Sequence, residues 1–354
     1  MNKTLQKLAP RGGAVPGLLM SLALALALAG GRVEAAPSVA EDVARALTLN
    51  AELEFDRALA LARPLLERKD LTDADRIAVY SALSTIHYSM GKKHHAEAFS
   101  FLEKIRELGP CLIDLPAEFW NKSLREQWYR TLQAKQQLTC VETEAGLRTV
   151  AIMEFDNYST GKYQDELGFV AKGLSDFFES DFRQLDGLQV VERDKLEFVL
   201  KEIMLTKEGL VDEATAVRAG KLLGAQIMIF GSIMQLDAKN ARMLVKAVKV
   251  ETSEILATAE RGGKPEFFGM QKELVSELAK KLEIVINPQA EQRLDASGPA
   301  NADAGTLYSR GLDALDRYEY ADAYEFFKRA WELDQTFAEA KAKMDIYRPL
   351  ALSS

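Results

Sequence analysis

The sequence predicts an α/β domain, with a mixed sheet and packed helices, flanked on both sides by short α-helical hairpins. Between residues 147 and 260, apolar runs rich in β-branched residues alternate with segments whose apolar residues recur with a period of 3.6. That alternation is typical of one α/β domain. Outside this stretch only the helical period is found. The resulting division is a targeting segment at 1–35, helices at 36–145, the α/β domain at 146–286, a linker at 287–303 and helices at 304–354.

The composition is that of a folded globular protein. Of the 354 residues, 47% are hydrophobic and 28% are charged, and the formal net charge is -8. A nucleic-acid-binding surface needs a basic face. The mild acidity therefore argues against nucleic acid as a partner.

The first 35 residues have the pattern of an export signal. Lys3, Lys7 and Arg11 form a basic start, and residues 18–29 form an apolar run. This run is shorter than the roughly 20 residues needed to span a bilayer. Small residues around Ala35 favour cleavage there, and an uncleaved anchor is the alternative. No Cys lies directly after the apolar run, so no lipoprotein attachment site is expected, and no later segment is apolar enough to cross a membrane as a helix.

The only two cysteines, Cys111 and Cys140, both follow the export signal. Because exported proteins meet an oxidising environment, the pair is a candidate disulfide. Two buried free thiols are the alternative. Two cysteines without suitable histidine neighbours do not make a metal site.

The segments on either side of the central domain resemble degenerate tetratricopeptide repeats. In the first, Ala98, Leu102 and Ile105 have the spacing of the second helix of such a repeat, and Pro110 follows. In the second, the corresponding small and bulky residues are Gly311, Ala323, Phe327 and Ala330. Small residues at these positions let two helices approach closely. A generic helical bundle is the alternative for the first segment. Because a single repeat rarely folds alone, the second should dock on the central domain, the first repeats or a partner.

Local signals divide the central domain into strands and helices. Strands are expected near residues 148–155, 188–192, 226–236, 241–250 and 254–259. Asp194 and Asp212 are expected to cap helices, and Gly224 to end one in the left-handed conformation. Gly231 inside a strand indicates either a bulge or a close backbone approach.

The order and spacing of several short stretches resemble the CsgG family of curli secretion and assembly proteins, over residues 147–286. These stretches are EFDN at 154–157, VVER at 190–193 followed by Leu196, Leu200 and Glu202, GKLLGA at 220–225, GS at 231–232, and VKVETSEI at 248–255. The resemblance implies a fold similar to the N-terminal domain of TolB and to periplasmic lipoproteins that activate penicillin-binding proteins. It assigns Arg193, Glu202, Gly224 and Gly231 to structural motif positions.

The chain departs from pore-forming members of that family. Those proteins are lipidated and insert two hairpins per subunit into the outer membrane. Here residues 234–242 and 258–264 are all that fill the corresponding gaps. A membrane strand takes about 9–11 residues, so neither gap holds a hairpin. The expected location is the periplasm of a Gram-negative bacterium, in association with the outer membrane or free of it.

The sequence carries no recognisable catalytic, cofactor or metal motif. There is no GxxxxGK[ST], HExxH or GxSxG. His87, His94 and His95 all precede the α/β domain and are interpreted as surface or turn residues. Glu154 and Asp156 are expected on the strand face opposite Phe155, in an interface or loop-ordering role. Arg193 is expected to pair with Glu202 or with a neighbouring carboxylate.

Two function classes follow. The first is a non-enzymatic periplasmic assembly or scaffold protein that binds protein partners, such as a CsgG-type secretion or envelope complex, through its repeats. The alternative is a regulatory module that acts on a peptidoglycan synthase. A homo-oligomer is compatible with both, and neither needs a cofactor.

Overall fold

A computed structural model of the protein describes residues 38–109, 121–138, 147–205 and 212–352. The expected signal peptide at 1–35 lies outside these residues, and so do Cys111 and Cys140. The signal-peptide and disulfide hypotheses therefore stay predictions.

The described residues before position 138 are helical. The helices are α1 (Val39–Ala51), α2 (Phe55–Ala62), α3 (Asp73–Ser89), α4 (His95–Leu108) and α5 (Lys122–Ala134), with 3₁₀ turns at Arg63–Glu67 and Lys92–His94. Thr72 caps α3, because its hydroxyl accepts a hydrogen bond from the Asp75 N–H and the Asp75 carboxylate accepts one from the Thr72 N–H. Asp73 begins the helix and does not cap it.

Helices α3 and α4 pack as an antiparallel hairpin. Ala98, Leu102 and Ile105 of α4 are all fully buried. The Ser84 hydroxyl of α3 donates a hydrogen bond to the Ala98 carbonyl at 2.9 Å. The small side chain of Ala98 thus allows the close approach expected of it, while the assignment to a tetratricopeptide repeat stays a prediction.

The centre of the chain forms a six-stranded mixed sheet in the order β3, β1, β4, β5, β6, with β2 paired to β4. The strands are β1 (Arg148–Ile152), β2 (Asp156–Asn157), β3 (Leu188–Val190), β4 (Ile227–Gln235), β5 (Ala241–Lys249) and β6 (Glu254–Gly263). Strand β1 runs parallel to both β3 and β4. Strand β5 is antiparallel to β4 and to β6. The predicted α/β domain with a mixed sheet is confirmed.

Helices cover both faces of this sheet. They are α7 (Gly168–Arg183), α8 (Arg193–Leu205), α9 (Glu213–Leu222) and α10 (Phe267–Lys281), and the short α6 (Lys162–Glu166), which buries no residue, precedes α7. Alternate strand residues point to opposite faces. Val150 and Ile152 pack in the core with α7 and α10, whereas Ala151 packs in a second core with α8 and α9. Helix α8 begins at Arg193, so Asp194 lies in its first turn and is not its cap.

The strand connections are short. Residues 236–240 join β4 to β5, and 250–253 join β5 to β6. Strand β6 continues to Gly263 and is followed directly by α10 at Phe267. In the described part of the chain, no helix is both long enough and apolar enough to cross a membrane.

Two glycines of the central domain have the backbone roles that the sequence suggested. Gly224 follows α9 with a φ of 70°, in the left-handed region that favours glycine. Gly231 lies under the ring of Phe155, and a Cβ at this position would fall 2.4 Å from three ring carbons. Of the two alternatives for Gly231, the structure shows close approach.

The expected linker at 287–303 contains a helix. Helix α11 (Pro288–Ala296) buries Ala290 and Leu294 in the sheet core. The Asn287 side chain accepts a hydrogen bond from the Ala290 N–H at 2.8 Å, which caps the helix. Residues 288–296, expected in a linker, are therefore a capped helix with Pro at its first position.

The C-terminal helices α12 (Ala302–Asp316), α13 (Tyr320–Leu333) and α14 (Ala338–Leu352) dock on the central domain. Their core includes Phe177 of α7, whose ring stacks on that of Tyr308 with centroids 5.2 Å apart. Ala323, Phe327 and Ala330 are fully buried, and Gly311 lies against the Phe327 ring. The expected docking on the central domain is therefore seen.

The interpretation of all three histidines as surface or turn residues is wrong for His87. Its side chain is 1% exposed at the end of α3, and its ring stacks on Phe101. Burial lowers the pKa of His87, and the nearby Glu97 carboxylate only partly opposes this. His94, in the following turn, and His95, at the start of α4, are half-buried.

Candidate functional site at the carboxyl ends of the parallel strands

The site lies where the chain leaves β1 and β3 in opposite directions. After β1 the chain continues into α7 on one face of the sheet, and after β3 into α8 on the other. In open α/β sheets, this divergence opens a crevice at the carboxyl ends of the strands. Glu154 follows β1, and Glu192 and Arg193 follow β3. The strand ends thus bring three charged groups to one crevice.

Side chains from outside the sheet fill this crevice. The Lys122 Nζ of α5 lies 2.6 Å from Asp316 Oδ1 of α12 and 3.3 Å from Glu197 Oε2 of α8. Lys172 of α7 makes a short ion pair with the other oxygen of Asp316. The Arg193 guanidinium lies 3.8 Å from Asp316 and 3.5 Å from Glu197. We call these five residues, Lys122, Lys172, Arg193, Glu197 and Asp316, the ionic hub.

An ion pair between Arg125 and Glu192 adjoins the ionic hub and connects α5 to the end of β3. The Arg125 guanidinium lies 2.9 Å from Glu192 Oε1, and the Tyr129 hydroxyl donates to Glu192 Oε2 at 2.5 Å. Burial raises the pKa of Tyr129 well above its usual value, and the Glu192 charge adds to the shift. Tyr129 is therefore a fixed hydrogen-bond donor at neutral pH.

The charges of the ionic hub stabilise one another against burial. Burial alone lowers the pKa of Lys122, but Glu197, Asp194 and Asp316 outweigh it and raise that pKa. Burial alone raises the pKa of Asp316, but Arg193, Lys122 and Lys172 together lower it well below its usual range. Both groups are therefore ionised at neutral pH. Buried charges persist only when they are paired in this way.

The pKa of Glu154 is shifted in the opposite direction to that of Asp316. It is exposed to the crevice but has protein on most sides, and burial raises the pKa of its carboxyl against the opposing effect of Lys172 and Arg193. Carboxylate oxygens of Glu154, Glu197 and Asp316 lie within 4.8 Å of one another. Because Lys122, Lys172 and Arg193 already neutralise this group, the arrangement is an ion-pair network and not a cation site.

A cavity of 840 Å³ opens beside the ionic hub on the α8 face of the sheet. Met153, Leu200, Phe230 and Leu244 give it apolar walls, and Lys201, Lys246, Asp212 and Glu213 line its polar side. Arg193 Nη1 and Glu197 Oε1 are buried and have no hydrogen-bond partner within the described part of the chain. Arg193 and Glu197 also line the cavity, so the ionic hub forms part of its wall.

Arg193 and Glu202, two residues that the sequence singled out, have different partners in the structure. Arg193 pairs with Glu197 and Asp316, so of the two alternatives it takes the neighbouring carboxylates. Glu202 instead accepts a hydrogen bond from the Gln133 side chain at 2.9 Å. Glu154 and Asp156 are both exposed while Phe155 between them is buried, as alternation requires.

Sequence reasoning missed Lys122, Lys172 and Asp316. One local signal was available, because Lys172 interrupts the apolar stripe of α7 between Ala171 and Leu174. A buried lysine needs a partner. The sequence does not identify that partner, since Asp316 lies in a helix of a different segment.

The comparisons with known proteins concern the central domain. Residues 131–246, about a third of the chain, match the family model described as the curli production assembly/transport component CsgG. The match begins inside α5 and ends inside β5. No curated protein sequence matches the chain.

Solved structures that match part of this chain include two LpoB C-terminal domains and a PelC dodecamer. The domain from Escherichia coli is 14% identical and covers 38% of this chain and 93% of its own, with a TM-score of 0.24. The domain from Salmonella enterica is 16% identical and covers 36% of this chain and 90% of its own, with a TM-score of 0.24. PelC from Paraburkholderia phytofirmans is 12% identical and covers 40% of this chain and 93% of its own, with a TM-score of 0.25. The family-model match carries the assignment: the α/β domain at the centre of this chain is CsgG-like.

Proposed function

We propose that the protein is a non-catalytic scaffold of the bacterial cell envelope that binds protein partners through its helical hairpins. The CsgG match of the central domain and the export-signal pattern at residues 1–35 support an envelope location. The short connections at 236–240 and 250–253 support a scaffold without the membrane hairpins of pore-forming relatives.

The ionic hub is the observation that carries this proposal. It joins α5 of the first helical segment, α7 and α8 of the central domain, and α12 of the C-terminal hairpin. A buried ion-pair network adds little net stability over apolar packing, but it tolerates few alternative arrangements of its members. A network of this kind suits a protein that must hold helical surfaces in one orientation for a partner.

The site geometry also favours binding over chemistry. The cations of the ionic hub are each engaged by carboxylates, and the ionised Asp316 has lost basicity. A general base needs a pKa near the working pH and a free proton acceptor.

In vivo photo-crosslinking tests the scaffold. A photoreactive phenylalanine would replace Glu103 of α4 or Leu333 of α13, both exposed on the helical segments, and Leu222 of α9 is the matched control on the central domain. We expect adducts with the same few envelope proteins from positions 103 and 333, and none from 222. The variant Asp316→Asn should reduce both adducts, because it weakens the attachment of the C-terminal hairpin to α5.

Two results would contradict the proposal. One is the absence of adducts at both helical positions in envelope fractions that contain the protein. The other is an adduct limited to a peptidoglycan synthase whose activity changes when the purified protein is added, which would establish the regulatory alternative. Recovery in the cytoplasmic fraction after osmotic shock would overturn the envelope location.

A further inference from the structure

The turn between α3 and α4 brings together three side chains of types that can bind a metal ion. His87 lies in the last turn of α3, His94 in the 3₁₀ turn, and Glu97 in the first turn of α4. Gly91, with a φ of 95°, lets the chain reverse between them. One ligand atom from each of the three residues lies within 4.8 Å of the other two.

The closest pair in this group has the separation that a tetrahedral metal requires. His87 Nε2 lies 3.3 Å from Glu97 Oε1. Zinc binds imidazole nitrogen and carboxylate oxygen at about 2.0–2.2 Å, which puts two ligands of a tetrahedron about 3.3–3.6 Å apart. Two hydrogen-bond acceptors at such a distance repel each other unless a positive group lies between them.

Arg63 supplies that positive group. Its Nη2 lies 3.1 Å from His87 Nε2 and 3.0 Å from Glu97 Oε1. Because a guanidinium can only donate, a hydrogen bond from Arg63 uses the tautomer of His87 whose Nε2 carries the lone pair. His87 Nδ1 is buried and has no hydrogen-bond partner within the described residues, so the polar contacts of this ring are on the Nε2 side. The Arg63 side chain is 53% exposed and is free to turn into solvent.

We propose that His87, His94 and Glu97 form a binding site for a divalent transition metal of the zinc class, in competition with the Arg63 guanidinium. Two imidazoles and one carboxylate are a donor set that zinc accepts, with water in the fourth position. Arg63 holds the ligands in place in the metal-free protein and leaves when the metal enters. The metal would join the end of α3 to the start of α4 and stabilise that hairpin.

Zinc titration of the untagged mature protein tests the site, with calorimetry for affinity and thermal unfolding for stability. We expect one Zn²⁺ per chain and a rise in Tm. His94→Ala and Glu97→Gln should each weaken binding by at least about tenfold, since even loss of an outer partner of a metal ligand costs about 10–100-fold. Arg63→Met should strengthen binding, because it removes the competing cation.

His95→Ala is the matched control. It removes a histidine from the same turn that stacks on Tyr88 and is not one of the three ligands. The site would be disproved if His95→Ala weakened zinc binding as much as His94→Ala, or if Glu97→Gln, whose exposed side chain leaves folding intact, bound zinc as tightly as the unaltered protein. Cobalt(II) provides a second readout. Visible bands of nitrogen and oxygen ligation support the site. A thiolate charge-transfer band would contradict it, because the metal would then bind Cys111 or Cys140.

Discussion

Lys122 Nζ lies 2.6 Å from Asp316 Oδ1, although 194 positions separate the two residues in the sequence. This contact joins the first helical segment to the last, across the carboxyl ends of the parallel strands. Lys172 approaches the other oxygen of the same carboxylate. One aspartate thus pairs with two lysines from different segments, and a third cation, Arg193, lies 3.8 Å away.

Asp316→Asn should lower the free energy of unfolding by about 2–3 kcal/mol. Removing one member of a buried pair costs about 3–5 kcal/mol, and we expect less here because the Asp316 side chain is 21% exposed. Urea unfolding followed by circular dichroism measures the change. Asp313→Asn, one turn earlier in α12, is the control. Asp313 is more exposed and should cost less than about 1 kcal/mol. Equal losses in the two variants would show that Asp316 has no special role.

The stability of the protein should fall on acidification, and Asp316 should account for part of that fall. The folded-state pKa of Asp316 lies below the unfolded value of about 3.9. Its contribution is therefore fully present above pH ~4 and is lost as the pH falls through the folded pKa. Urea midpoints measured between neutral pH and pH ~2 should decline less steeply in Asp316→Asn. Parallel curves for the two proteins would contradict this assignment.

Glu154→Gln should have the opposite effect on the pH dependence. Burial raises the folded-state pKa of Glu154, so its contribution to stability is present below the unfolded pKa and is lost as the pH rises through the folded one. The variant should therefore gain stability relative to the unaltered protein at neutral pH and not at acidic pH. The same urea series measures this gain. A loss at neutral pH would show that the ionised carboxylate stabilises the crevice.

Gly231→Ala should destabilise the central domain by about 1–3 kcal/mol, because the new Cβ would overlap the Phe155 ring and force the packed core to move. Phe155→Leu in the same chain should recover part of the loss, since it removes the ring. Gly269→Ala in α10 is the control: no atom lies within 4 Å of its added Cβ, and alanine favours the helix by about 1 kcal/mol. Thermal unfolding of the three variants gives the comparison. Equal Tm values for Gly231→Ala and the unaltered protein would show that the Phe155 ring moves aside without loss of stability.

Gly224→Ala should cost about 1 kcal/mol through backbone conformation alone. Gly224 has a φ of 70° after α9, where an L-residue with a Cβ is strained by about 1–2 kcal/mol. Gly224→Asn should cost less than Gly224→Ala, because asparagine tolerates this region better. Urea unfolding of both variants tests that order. A larger loss for asparagine would point to a side-chain clash in place of backbone strain.

Local chemistry in the sequence determined much of the central domain. Apolar runs specified the strands, Asp212 capped α9, and Gly224 ended it, because each of these depends on residues only a few positions apart. The close approach at Gly231 was one of two alternatives that the sequence left open. Two predictions failed for local reasons as well: Asp194 lies in the first turn of α8 and does not cap it, and residues 288–296, expected in a linker, form α11.

Contacts between distant segments were decided only by the tertiary structure. Nothing near Lys172 in the sequence identifies Asp316 as its partner, because an ion pair depends on where two helices dock. His87 was expected to be a surface or turn residue, yet the turn at Gly91 folds α4 back onto α3 and brings Glu97 to 3.3 Å from the buried His87. The sequence by itself therefore determined the elements and the family of the central domain. Packing of the helical segments, which buries charge only where opposite charge meets it, decided the ionic hub and the histidine cluster.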